Sequence, residues 1–528
     1  MPKFNKQLIV TLLLALFLTQ SCISLTSKSA TFDEVQYFGI GKYIMQHQKW
    51  DVMGAILHPP LTYYLGSLPL LFAKEDPQLW EYGDVKRDLD FLGAPDIYRG
   101  QELLSLPENK DDRLLISSRL LTALVSLLLG YYVYRFSREL FGEASGVLSL
   151  FFFSFCPNML AFSGISVPDM PLTVFSFISI YYLWLSLKRD ARKYTMLAGL
   201  FLGLALLCKF TALLLLPLDV CIFTLFMLKE KRNVAAKGTT VLCIAVLLLF
   251  GGYSFNMTPF VQGNLYRLSQ AETGQSTFLM GQYSVHGWWY YYPLAFLMKT
   301  PISLLTVFSL ALALLCKSWK DNWQALLFLL APVVAIMFFF CAAPYSIALR
   351  YILPIYPFIF VIAGSLARQG KRIRYFTGLM AVWYVGASLY VAPHYLAYFN
   401  EAVGGPGNGY KYLVDGNLDW GQDLKGLKKF MDKNGIKRIS LSYFGADSPQ
   451  RYGIEYDWLP SHYLLNPAKE RPVQIHSDQL LAISATNLQG LYLDDRNQFK
   501  WLLQSQPIAK IGYSIFVYDL GGRGKYTN

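Results

Sequence analysis

The chain has 528 residues, of which 54% are hydrophobic, 16% aromatic and only 16% charged. A soluble domain carries about 25% charged residues, so this composition, with apolar runs too long for core helices, points to membrane spans. The formal charge of +12 does not mark a nucleic-acid binder. From His394 onward basic and acidic residues stand at 15 against 13, and the excess lies in short turns between apolar runs.

In chain order, Lys3 and Lys6 precede the apolar run Leu8 to Ile23. Thr19, Gln20 and Ser21 fit a cleavage site before Cys22 poorly, so the run reads as an uncleaved first span. A long acidic loop, about 26–112, is expected outside. Ten further spans are expected near 115–135, 142–163, 170–187, 194–208, 211–228, 238–255, 296–316, 323–342, 351–367 and 375–392. The turns expected inside are all basic, from Arg135 and Arg138 through Lys188, Arg189, Arg192 and Lys193 to Arg368, Lys371, Arg372 and Arg374. The apolar stretch Thr195 to Leu228 is too long for one helix, which would run to about 50 Å, so two short spans should turn at Lys209.

Beyond His394 the pattern changes. A Gly-rich entry, Gly404 to Gly409, leads to a helical pattern over Asp423 to Lys433, then strand-like Arg438 to Tyr443, Leu480 to Ser484 and Ile511 to Tyr518. The expected fold is a polytopic α-helical membrane protein of about eleven transmembrane helices, with a long first extracytoplasmic loop and a C-terminal extracytoplasmic α/β domain. The expected domains are a multi-span domain, 1–393, and a soluble domain, 394–528, with the N-terminus cytoplasmic. All seven cysteines lie in or beside apolar stretches, which leaves no disulfide framework or CxxC metal site in the polar regions.

This topology gathers polar groups on the outer face. Asp33-Glu34 could deprotonate an acceptor hydroxyl; the same pair also fits a helix first turn capped by Thr31. His58-Pro59-Pro60-Leu61 makes a rigid turn ahead of an amphipathic stretch to Phe72, its histidine functional or incidental. Asp169, in Val167-Pro168-Asp169-Met170-Pro171, sits in a very short outer turn, as a site residue or a helix cap. Lys209 and Arg350 stand at outer span ends, placed to bind a phosphate or to snorkel to lipid headgroups, and Arg267 and Lys299 are weaker candidates of that kind. Trp288 to Tyr292 reads as an interfacial aromatic belt. No Walker lysine loop, HExxH or GxSxG stands in a plausible context.

Asp33-Glu34 after a first span, then His58-Pro59-Pro60-Leu61, then Pro168-Asp169-Met170-Pro171, resembles the lipid-linked-sugar glycosyltransferases of the membrane-embedded C-type superfamily. Protein O-mannosyltransferases and the aminoarabinose transferases of lipid A are nearest in pattern. The blocks Ala348 to Pro357 and Asn417 to Asp423 are similar to blocks of bacterial members.

The resemblance implies transfer of one sugar from a polyprenyl or dolichyl phosphate to an acceptor hydroxyl on the extracytoplasmic face, with inversion. By it, Asp33 matches the base and Glu34 completes the acidic pair. Asp169 orients the acceptor or holds a divalent cation; no metal ligand set is assigned. Lys209, Arg350 and His58 fall at the donor phosphate. Thr62-Tyr63 replaces the Gly-Lys of eukaryotic mannosyltransferases, and no β-trefoil-like insertion is visible, which favours a bacterial inner-membrane enzyme. The implied partners are the lipid-linked donor, a protein or glycolipid acceptor and membrane lipid, with no nucleic acid. The competing reading is a flippase or transporter of the same lipid without transferase activity; an anchored assembly protein is a third.

Overall fold

The structure is a computed structural model that describes residues 6–47, 50, 56–72, 94–106, 111–189, 191–230, 234–344, 346–461 and 480–521. Lys3 and much of the long first loop therefore lie outside the described residues.

The first apolar run folds as α1 (Lys6–Ser27), about 33 Å long at 1.5 Å per residue, enough for a bilayer core. α2 (Phe32–His47) carries Asp33 and Glu34 in its first turn, and α3 (Pro60–Ser67) opens on a proline whose missing N–H costs nothing there. α4 (Ala94–Ser105) lies against α2 so closely that a methyl group on Gly100 would strike the Val35 carbonyl.

The bundle continues with α5 (Arg113–Phe141), the broken pair α6 (Glu143–Ser154) and α7 (Pro157–Ser163), α8 (Asp169–Arg189) and α9 (Arg192–Leu206). α8 is buried along its whole apolar length and forms the axis of the bundle. A 3-10 turn, Phe210–Leu214, enters α10 (Leu215–Glu230), followed by α11 (Ala235–Gly252) and α12 (Thr258–Thr273). After a small hairpin, β1 (Thr277–Leu279) and β2 (Gln282–Ser284), come α13 (Tyr291–Lys299), α14 (Ile302–Lys317) and α15 (Trp319–Ala342). A 3-10 stretch, Leu349–Ile355, enters α16 (Tyr356–Gly364), and α17 (Lys371–Val391) completes the bundle.

Among the described residues seven helices, or up to nine if each bent pair is one span, are long and apolar enough to cross a membrane. The expected count of eleven is therefore not reached by length and composition. The difference lies in two elements. α9 has only 15 residues, and the apolar face of α17 is diluted by Arg374, Tyr375, Trp383, Tyr384 and Tyr390. The turn expected at Lys209 is found there, between the end of α9 and the 3-10 entry to α10.

The tail begins as a series of 3-10 turns that is stitched into the first loop. Ser29 and Phe32 donate backbone hydrogen bonds to the carbonyls of Gln422 and Trp420, both at 2.9 Å, and Lys28 reaches Asp423 at 2.5 Å. Beyond α18 (Leu424–Lys433) lie β3 (Arg438–Ser442), β4 (Glu455–Trp458), β5 (Leu480–Ser484), a short helix α19 (Ala485–Leu488), β6 (Ala509–Ile511) and β7 (Ile515–Asp519). They form a five-stranded sheet of order β4-β3-β5-β7-β6, parallel between β3 and both its neighbours and antiparallel elsewhere.

Alternation along the strands divides the sheet's two faces. Leu481, Ile483, Phe516 and Tyr518 join the large core that continues into the bundle. Ala482, Ile515 and Val517 pack instead with Leu424, Leu427, Phe430 and Met431 of α18. The tail is thus fastened to the bundle through an apolar face, and its irregular first part lies beside Asp33.

Candidate functional site

α2 is the element that sorts the two adjacent carboxylates. Successive residues of a helix point about 100° apart, so Asp33 and Glu34 face different surroundings. Glu34 is completely buried and grips Arg119 of α5 with both oxygens, at 2.8 Å to Nε and 2.7 Å to Nη2. Its oxygens also accept from the Thr31 backbone N–H and hydroxyl and from the Ser166 N–H. Burial alone would raise its pKa; the Arg119 guanidinium and these hydrogen bonds outweigh that and hold the carboxyl below the usual range. The Glu34 carboxylate supplies the returning half of a helix capping box by accepting from the Thr31 N–H, so the helix-start reading fits Glu34.

Glu34 therefore stands apart from the catalytic role expected of it. Every lone-pair direction is spent on holding α5, α2 and the 163–169 turn together. Arg119, which the sequence reading passed over, completes this knot by donating to the carbonyls of Leu25, Lys28 and Ser29.

Asp33 points the other way, into an open cavity of about 610 Å³. Its side chain is 20% exposed and accepts from Arg350 Nη1 at 2.8 Å and from the Tyr37 hydroxyl at 3.3 Å. The Arg350 guanidinium lies 4.0 Å from the Trp420 ring centroid, a stacking that fixes its plane. Asp415, Phe444 and Tyr492 line the same cavity, and the Tyr492 hydroxyl donates to Asp415 at 2.6 Å. Burial raises the Asp415 carboxyl above the ordinary range, partly offset by that hydrogen bond.

A second cavity of about 520 Å³ shares His58, Arg267, Gln270, Gln275, Ile347 and Tyr351 with the first. Its remaining wall is largely apolar and comes from Phe210, Leu213, Leu214, Leu268 and Phe339. Lys209 also lines it, and bonds Asp169 at 2.8 Å while sitting 4.1 Å from the Tyr351 ring. The β-extended backbone of Lys209, between α9 and the 3-10 turn, turns this side chain inward. Asp169 itself is buried at the start of α8, where its carboxylate accepts from the Lys209 ammonium.

His58, held by the turn before the two prolines, touches both cavities. Its Nε2 lies 3.4 Å from Arg267, its ring meets Tyr37 edge-on, and its Nδ1 finds no hydrogen-bond partner among the described residues. Burial, then the charges of Arg267, Lys209 and Arg350, push the imidazole well below its usual pKa. It is neutral at pH 7.

The structure thus brings Asp33, His58, Lys209, Arg267 and Arg350 together around two joined cavities. It excludes Lys299. That residue, expected as a weaker phosphate contact, is buried and donates to the carbonyls of Leu396, Tyr398 and Asn417. It lies over the Phe399 ring and latches the end of α13 to the tail. Its three donors are consumed by the backbone of the tail's entry, so none is left for a phosphate. Tyr351, Tyr37, Trp420 and Asp415 are the cavity residues that sequence reading did not assign. Tyr351 and Trp420 lie within the two blocks already noted, adjacent or nearly so to charged residues, which is the signal that marks them. No cluster of three or more His, Cys, Asp or Glu side chains able to hold a metal occurs among the described residues.

Residues 112–253 match the family model described as dolichyl-phosphate-mannose-protein mannosyltransferase. Two solved structures share the fold. One is ArnT from Cupriavidus metallidurans in the apo state, 12% identical over 96% of this chain and 97% of that one, with a TM-score of 0.51. The other is ArnT from the same organism bound to undecaprenyl phosphate, 14% identical over 97% and 98%, with a TM-score of 0.50. No curated protein matches the chain.

Proposed function

We propose that this chain, a member of the superfamily of membrane-embedded C-type glycosyltransferases, moves a single sugar from a polyprenyl phosphate to an acceptor hydroxyl. The observation that carries the reading is the junction of two unlike cavities. One is largely apolar with Lys209 and Arg267 in its lining, and the other is polar and holds the partly exposed Asp33 carboxylate as well as the buried Asp415. An isoprenoid chain fits the first, with its phosphate beside Lys209, Arg267 and His58. The sugar and acceptor then meet in the second, at Asp33.

The chemistry follows from the charges. The acceptor oxygen bonds to the sugar's anomeric carbon while its proton passes to the Asp33 carboxylate. The carbon–oxygen bond to phosphate breaks on the opposite face, so configuration inverts. The departing polyprenyl phosphate gains negative charge, which the Lys209 ammonium and the Arg267 and Arg350 guanidinia stabilise. Arg350, now held by Asp33, is the pivot: a phosphate that draws the guanidinium away frees the Asp33 oxygen to meet the acceptor hydroxyl. Asp169 serves Lys209 in this scheme. We further propose that the site faces the extracytoplasmic side of a bacterial inner membrane, with the N-terminus inside and the tail outside.

The test uses purified protein in lipid nanodiscs with a panel of radiolabelled polyprenyl-phosphate sugars. Label passing to an acceptor or to water with inverted configuration supports the reading. Movement of the lipid across a bilayer with no transfer from any donor supports a flippase instead.

A further inference from the structure

A smaller cavity of about 250 Å³ lies on the other side of the wall that closes the polar cavity. The wall is the chain after β3: Phe444 lines the polar cavity, and its neighbour Tyr443 lines the smaller one. Below the roughly 300–1,000 Å³ of pockets for drug-sized ligands, this volume suits one compact ring better than a lipid or a peptide segment.

Its lining is of a particular kind. β4 is an edge strand, pairing only with β3 in the order of the sheet among the described residues. Tyr456 and Trp458 stand two residues apart on β4, so both rings face the same side, about 6.6 Å apart along the strand. Both are half-buried and line the cavity, opposite Tyr98 of α4. Around these rings the polar groups are amides and hydroxyls. Gln450 donates to the Tyr456 hydroxyl at 3.2 Å and accepts from Ser448 at 2.8 Å, and Gln101 donates to the Ala446 carbonyl at 2.6 Å.

Asp447, the one carboxylate lining the cavity among the described residues, is already neutralised. It receives Arg451 at 2.9 Å and the Tyr452 hydroxyl at 2.6 Å. The cavity therefore presents flat aromatic faces rimmed by neutral hydrogen-bonding groups. Among the described residues a phosphate finds no free cation on this lining and a cation no free carboxylate. A sugar ring, with an apolar face of C–H bonds and an equatorial girdle of hydroxyls, matches both features.

We infer that this cavity is a carbohydrate-binding subsite, in which Tyr456 and Trp458 stack on one uncharged sugar residue while Gln101 and Gln450 bond its hydroxyls. Given the transferase reading, that sugar belongs to a glycan acceptor whose reactive end lies one wall away at Asp33; the binding itself does not depend on that reading.

The experiment is saturation-transfer difference NMR on the full-length protein in nanodiscs. The soluble probes are chitotriose, mannotriose and maltotriose, none of which carries a lipid or phosphate. Saturation transfer to at least one trisaccharide is expected, weakened about tenfold in apparent affinity by Trp458→Ala and by Gln450→Ala. It should be largely retained in Trp458→Phe and unchanged in Asp33→Asn. Melting temperatures of the variants are compared with wild type, and Gln450→Ala and Trp458→Phe carry the test if Trp458→Ala does not fold. No transfer to any of the three, or transfer indifferent to the Gln450 and Trp458 changes, overturns the inference. Binding with this pattern in a protein that transfers no sugar from any donor would overturn the transferase reading and leave the subsite standing. Active sugar transfer without trisaccharide binding would do the reverse.

Discussion

Replacing Glu34 with Gln separates two jobs that adjacent carboxylates perform. The change is nearly isosteric but removes the negative charge facing Arg119, which is itself fully buried. Arg119 would keep its three backbone carbonyl partners, at 2.7 to 2.9 Å, but one of the two short bonds to Glu34 would turn into a clash of donors. Removing one partner of a buried ion pair typically costs about 3–5 kcal/mol. The retained carbonyl contacts put the expected loss near the lower end, about 3 kcal/mol. Asp33→Asn perturbs a partly exposed carboxylate whose partner Arg350 remains stacked on Trp420, so its cost in stability should stay below about 1 kcal/mol.

Thermal unfolding in nanodiscs, followed by turnover per folded molecule, measures both. Glu34→Gln should melt clearly lower yet retain most of its specific activity, whereas Asp33→Asn should melt like wild type and lose at least about 1000-fold in kcat. If Glu34→Gln melts normally and is as inactive as Asp33→Asn, the division of labour drawn here is wrong.

Other expectations follow from the same contacts. Because burial is outweighed by Arg119 and the folded pKa of Glu34 lies below its ordinary value of 4.5, its stabilisation is complete above that value and is lost as pH falls through the lower, folded pKa. Melting temperature should therefore drop on acidification below about pH 4.5 in wild type and drop less steeply in Glu34→Gln. Burial and the neighbouring cations hold the His58 imidazole well below its usual pKa, so His58→Gln should raise KM for the donor without moving the acidic limb of the pH–rate profile; a shifted limb would give His58 a titrating role. Lys299→Met leaves the carbonyls of Leu396, Tyr398 and Asn417 without their buried donor. It should cost about 2–3 kcal/mol of stability and leave donor affinity unchanged; weakened donor binding in the folded protein would restore Lys299 to the phosphate site. Lys209→Met should weaken donor binding about tenfold or more, and unaltered binding would remove Lys209 from it.

Much of this arrangement is legible from the chain. Apolar runs between basic turns marked where helices lie, and the Cys208-Lys209-Phe210 interruption marked a break that the 3-10 turn realises. The superfamily resemblance rested on short polar blocks, and the matches to the mannosyltransferase family model and to the ArnT fold bear it out. In the tail, the patterns over Asp423 to Lys433 and Leu480 to Ser484 correspond to α18 and β5. The short edge strand β4 and three-residue β6 escaped, because so few residues carry no readable alternation.

What was not legible is pairing at long range. The Thr31-x-x-Glu34 spacing is a local sign that Glu34 serves the helix start, but its ion pair comes from Arg119, 85 positions on. Lys299 reads like any cation at a span end until Leu396, Tyr398 and Asn417 fold over it. Arg350 meets Asp33 across 317 positions, and Trp420 fixes its plane from the tail. Length and composition alone stop short of eleven spans for a subtler reason. α9 and α17 stand where spans were placed, but one is short and the other rich in tyrosine and tryptophan.

The central claim is that Asp33 is the base and that Arg350 is shared between it and the donor phosphate. Its most direct test is paired: equilibrium binding of a radiolabelled polyprenyl-phosphate sugar and single-turnover transfer, each in wild type and Asp33→Asn. The account predicts that Asp33→Asn binds the donor as tightly as wild type or more tightly, since Arg350 is released to the phosphate, while sugar transfer disappears. Transfer at the wild-type rate in Asp33→Asn, or loss of donor binding in that variant with its fold intact, would contradict it.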